Sequence, residues 1–137
     1  MTRKFLITTS ILGLWGVTMA ILSVLVFTGD MSPENHSNFN TALSIHMLHT
    51  VALLAITFMS RFVSRSYLNI IFYLFTIGIL LFSGSLYIDS TRELTNIVIG
   101  FMGTLIPIGG ILLLGGWIVL LFTGVTYQHK KRAIQNS

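Results

Sequence analysis

The sequence predicts an all-α integral membrane protein: a four-helix bundle of up-down-up-down topology with short loops, one transmembrane domain over residues 1–137. Three observations predict it. Apolar residues make up 53% of the chain and charged residues 9%, too little charge for a water-facing surface, since a soluble domain carries about 25%. Mean hydropathy is +0.84. Four stretches without Asp, Glu, Lys or Arg are long enough to cross a bilayer core of roughly 30 Å, which takes about 20 helical residues.

The first span covers residues 5–28 behind Arg3 and Lys4. A cleaved signal peptide has an apolar region of about 7–15 residues, and this run is longer, so it reads as a retained helix. Residues 29–40 form the longest link, a polar one, with Ser32-Pro33-Glu34 reading as a turn or a short helix start. The second span covers residues 41–60, the third 66–87 and the fourth 96–124, followed by a basic tail over 125–137. Apolar residues surround each stretch on all sides, as in a span rather than a surface helix. Short links make sequence neighbours antiparallel.

Charge sets the orientation. With four spans, one side holds Arg3, Lys4, Arg61, Arg65, Lys130, Lys131 and Arg132 with no acid, and the other holds Asp30, Glu34, Asp89 and Glu93 with Arg92. Basic residues beside span ends stay cytoplasmic, so both termini are expected inside, in the cytoplasmic (inner) membrane. The same placement makes membrane lipid, not nucleic acid, the expected partner of the net charge of +4. There is no cysteine, which excludes disulfides and thiolate chemistry.

The spans hold no carboxylate and no ammonium. That argues against an ion-coupled pump, and against hydrolysis by paired carboxylates or a Ser–His–Asp triad. His46 and His49 lie inside the second span, three residues apart and on one helix face. In hydrocarbon an imidazole must be hydrogen-bonded. The plain reading is an interhelical hydrogen bond, because polar side chains join membrane helices. The sharper reading is a metal, haem or proton site, with His36 as a third ligand. Thr18 and Pro107 fall at a depth similar to that of His49. Pro107 frees the Gly103 carbonyl, so Thr18 or that backbone is the expected partner of His49.

Small residues form stripes. Gly100, Gly103, Pro107 and Gly110 make one in span four, and Gly109 with Gly116 a second. Gly13, Gly16 and Ala20 line span one, and span three offers Ser83, Gly84 and Ser85. Such stripes let helix backbones approach, within the chain or in self-association. Trp15 and Trp117 lie well inside their spans and read as packing, whereas Tyr67, Tyr87 and Tyr127 near span ends read as an interfacial belt.

His49 to Ala55 (HTVALLA), Phe82 to Tyr87 (FSGSLY), and Pro107 to Gly110 (PIGG) before Gly116-Trp117 follow in that order. In these motifs the chain resembles a small bacterial membrane-protein family of unknown function typified by YwdK and YgdD. The resemblance covers all four spans and implies a four-helix inner-membrane protein. The chain departs from the family pattern at three places: Thr18 replaces an intramembrane histidine, His46 stands where glutamine is usual, and Ile106 replaces the threonine of TPIGG.

The expected role is structural or accessory, in the membrane or in a membrane complex, without enzymatic activity and without a cofactor or metal. The alternatives are a channel or transporter for a small neutral solute, with Pro107 breaking a helix, and a metal or haem protein using the span-two histidines.

Overall fold

A computed structural model describes residues 2–25, 31–59 and 63–135, with side chains described within 3–25, 31–59 and 63–126. Its helices are α1 (Thr2–Leu25), α2 (Pro33–Met59), α3 (Arg65–Ser90), the single turn α4 (Arg92–Thr95) and α5 (Met102–Gln135). Among the described residues, four of these, all but α4, are long and apolar enough to cross a membrane. The fold is an all-α membrane four-helix bundle.

Helix ends depart from the sequence expectation where a helix outlasts its apolar run. α2 begins at Pro33 rather than near residue 41. Ser32 caps it: its Oγ accepts the Asn35 N–H at 3.4 Å, and its carbonyl accepts the first helical bond, from the His36 N–H, at 2.9 Å. Proline suits the first helical position because its missing N–H would be unpaired there anyway. The added turns are held by packing, since Asn35 and Phe39 are buried. In the opposite sense, α5 starts at Met102 rather than near 96. Asn96 takes a left-handed conformation at φ 55° and ends α4, and the chain turns before the last span begins. α5 stays helical through Pro107 and on to Gln135.

Side-chain pairs give the register. Tyr67, Phe75, Gly78 and Phe82 of α3 meet Phe122, Gly116, Leu113 and Gly109 of α5 in reverse order, so these helices are antiparallel. Gly13 and Gly16 of α1 meet Thr50 and Met47 of α2, again in reverse. Phe5 stacks on Phe72 at 4.3 Å and Trp15 meets Tyr87 at 5.7 Å, so α1 and α3 run parallel. α3 is the hub: its largest interface is with α5, its next with α2, while α1 packs mainly on α2. The core accordingly centres on Leu68, Ile71, Phe72, Phe75 and Ile79 of α3, joined by Leu53 and Ile56 of α2 and Leu113 of α5.

This topology gathers the charges as the sequence predicts. Arg3, Lys4 and Arg65 share one end with the part of α5 that carries residues 130–132, whose side chains lie outside the described set, as do Arg61 and Asp30 entirely. Lys4 donates to the Tyr73 hydroxyl and covers the Phe72 ring at 5.1 Å. At the other end the Ser32 N–H donates to Glu93 Oε2 at 2.9 Å, tying the start of α2 to α4, and Arg92 pairs with Asp89 at 3.3 Å. The Ser32 N–H holds the Glu93 carboxyl below the ordinary glutamate pKa.

Candidate functional site

The polar centre of the bundle is built on the two histidines of α2. His49 is fixed from both sides. The Trp117 indole N–H of α5 can only donate, and it lies 3.0 Å from His49 Nε2. That nitrogen therefore accepts, and the ring proton sits on Nδ1, which donates to the Ile45 carbonyl one turn back at 2.8 Å. One neutral tautomer is thereby selected. Phe75 of α3 meets the same imidazole edge-on at 5.1 Å, so His49 joins α2, α3 and α5.

His46 lies one turn outward and is fully buried. Its Nδ1 is 3.2 Å from the Tyr87 hydroxyl of α3. Trp15 of α1 packs on the imidazole at 4.7 Å, and Phe39 closes on Tyr87 at 4.9 Å. Gly16 lies beside this stack, where a Cβ would reach the His46 ring at an ordinary 3.5 Å but would run into the Met47 sulfur at 2.5 Å. The Nε2 of His46 has no partner of normal hydrogen-bond geometry, although the Leu12 backbone interacts with the ring. The Ser83 and Thr50 hydroxyls, one turn inward of Tyr87 and His46, are also buried without a partner.

The sequence-predicted residues divide. His46, His49 and Ser83 are all buried. Thr18 is exposed and closes on its own helix, donating to the Leu14 carbonyl at 2.9 Å. His49 takes Ile45 and Trp117 as partners instead of Thr18 or the Gly103 backbone. Gly103 and Pro107 are exposed, and a Cβ on Gly100 or Gly103 would meet nothing within 4 Å. A Cβ on Gly110 would only reach the rim of the Phe82 ring, at an ordinary 3.7 Å. The close approach of α5 to α3 runs instead through Gly109, against the Phe82 backbone, and Gly116, against the Phe75 ring. Tyr87 is a core residue rather than part of an interfacial belt, 4% exposed. Tyr67 is half-buried against Phe122, and the Tyr127 side chain lies outside the described set.

Sequence reasoning missed the polar roles of Tyr87 and Trp117. A signal was there: each carries a donor that needs an acceptor within a bilayer, where water supplies none. His36 stands apart, near the start of α2 at the acidic end of the bundle, in an open groove of ≈ 470 Å³ lined by Pro33, Ser37, Asn40 and Thr41. Among the described residues, no three His, Asp or Glu side chains come together as a metal site would require. What the arrangement does chemically is to lock three helices around one imidazole and stack the fourth on its neighbour.

The chain is similar to known proteins over most of its length. Residues 25–110 match the family model described as a protein of unknown function, DUF423. A UPF0382 membrane protein of Haemophilus influenzae is 31% identical over 89% of this chain and 94% of its own. A UPF0382 membrane protein of Staphylococcus aureus is 40% identical over 68% of this chain and 71% of its own. The UPF0382 membrane protein YwdK of Bacillus subtilis is 27% identical over 91% of this chain and 98% of its own. No solved structure matches. Family model, relatives and membrane helices agree, and the chain belongs to this DUF423 family of small membrane proteins of unknown function.

Proposed function

We propose that the protein is a structural or accessory component of the cytoplasmic membrane, with both termini in the cytoplasm, acting through the faces it presents to lipid and to other membrane proteins. The observation that carries this reading is His49, whose two ring nitrogens are both engaged, Nε2 by the Trp117 indole of α5 and Nδ1 by the Ile45 carbonyl of its own helix. A proton path or substrate site needs groups free to exchange partners. The orientation rests on the basic end formed by Arg3, Lys4 and Arg65.

The test is purification from native membranes in polymer-bounded discs, followed by mass spectrometry of everything that accompanies the chain. A stoichiometric membrane-protein partner, lost when the lipid-facing surface of α5 is altered, supports the role. A chain recovered without partners, whose deletion leaves envelope composition and integrity unchanged, contradicts it.

A further inference from the structure

We propose that the groove between α1 and α2 seats one acyl chain of an anionic phospholipid from the leaflet at the basic end of the bundle. The groove has a volume of ≈ 280 Å³ and an almost wholly apolar lining. Gly13 leaves a side chain out of its middle, flanked by Ser10 and Val17 on α1 and by Met47, Val51 and Leu54 on α2. Both walls belong to membrane spans, so whatever fills the groove comes from the bilayer or from another membrane helix.

Width and polarity select between these. From Thr9 to Val17 the groove follows about 12 Å of helix. Its ≈ 280 Å³ over that length is a mean cross-section of about 23 Å², wide enough for one extended hydrocarbon chain. A second helix would lay only a side-chain ridge in such a groove and would bring no anion to its basic end.

The order of polarity along the groove is that of a phospholipid. Arg3 is exposed and stands seven residues, two turns, before Ser10 on the same face of α1. Its guanidinium suits a phosphate at the membrane surface. The exposed Ser10 comes next, at the end of the groove nearest the basic residues. Beyond it the lining is apolar toward the bilayer centre. A hydroxyl in the wall strengthens the assignment. Thr9 and Thr50 are 5% and 6% exposed, and neither hydroxyl has a partner. Elsewhere in these helices Thr18, Thr41 and Thr57 close on the carbonyl four residues back. Thr9 does not, and it neighbours Ser10, where rotation about χ1 would turn its hydroxyl from the wall to an ester oxygen; Thr50 lies opposite Gly13, along the tail. The seat does not rest on the accessory role above: a chain with no protein partner still carries the lipid.

The experiment is native mass spectrometry of the full chain released from vesicles of mixed phosphatidylethanolamine and phosphatidylglycerol. The expected result is one retained phospholipid per chain, enriched in phosphatidylglycerol. Gly13→Leu, which fills the groove, should lower retention by about tenfold or more, equivalent to about 1.4 kcal/mol. Gly103→Leu, on an open face of α5, should leave it unchanged. Arg3→Gln should cut the preference for phosphatidylglycerol about fivefold, as loss of one surface charge predicts. A wild-type chain that carries no lipid overturns the proposal, as does wild-type retention in Gly13→Leu. Disulfide cross-linking of Gly13→Cys to a second copy, in a protein otherwise free of cysteine, overturns it too. Should Gly13→Leu not fold, Arg3→Gln decides: an unchanged headgroup preference refutes the seat.

Discussion

At the scale of single residues, glycine and histidine do different work in the same interface. Gly109 lies against the backbone of Phe82, which cannot yield as a flexible side chain would. Gly109→Ala should therefore destabilise the protein in detergent by about 1–3 kcal/mol, the usual cost of overpacking. Gly103→Ala meets open space and should be neutral, or stabilising by up to about 1 kcal/mol through helix propensity. Thermal unfolding of the two variants checks both outcomes, and equal effects would contradict the register of α3 on α5. The Trp117 N–H to His49 bond should show a coupling of about 0.6 kcal/mol, and no more than about 1.7, in a double-mutant cycle of Trp117→Phe with His49→Leu, the average and the maximum for polar pairs between membrane helices. Additive single effects would mean that the bond is not formed.

The site was half legible in the sequence. His46 and His49 stand out because polar side chains are rare and costly in a span, and that cost demands a partner. Depth counting alone could not name the partner. It places Thr18 level with His49 but says nothing of rotation about the helix axis, and Thr18 faces outward on α1. The stripe of Gly100, Gly103, Pro107 and Gly110 failed for the same reason, while that of Gly109 and Gly116 packs on α3: Gly103 and Gly109 are both small, and only packing separates the exposed one from the buried one.

At the scale of elements, hydropathy locates spans and misses helix ends. The first turns of α2 are polar yet helical, held by the Ser32 cap and the buried Phe39. Residues 96–101 are apolar yet precede the helix, because Asn96 ends α4 in a left-handed conformation. The tie between these two ends predicts a pH effect. The Ser32 N–H lowers the Glu93 pKa below its ordinary value of 4.5. A depressed carboxyl contributes stability that is fully present above pH 4.5 and lost as pH falls through the lowered pKa. Unfolding followed against pH should show the wild type losing part of its stability below pH 4.5. Glu93→Gln, whose amide does not titrate, should lack that component. Identical profiles would mean that the tie contributes nothing.

At the scale of the whole molecule, composition and charge order carried the argument. A chain with 9% charged residues has too few to cover a soluble surface, and four uncharged runs of spanning length leave one topology that gathers the bases at one end. The antiparallel and parallel pairs among α1, α2, α3 and α5 agree with that topology. What the chain does for the cell was not legible, because function here depends on what covers the outer faces, and an apolar face toward lipid looks like an apolar face toward a partner. The most direct test uses the absence of cysteine: single cysteines placed at Thr2, Val98 and Ser137 are probed in intact cells with a membrane-impermeant maleimide. Labelling of Val98→Cys alone, with Thr2→Cys and Ser137→Cys reacting only after permeabilisation, is the result this topology predicts. Labelling of either terminal cysteine in intact cells would contradict it.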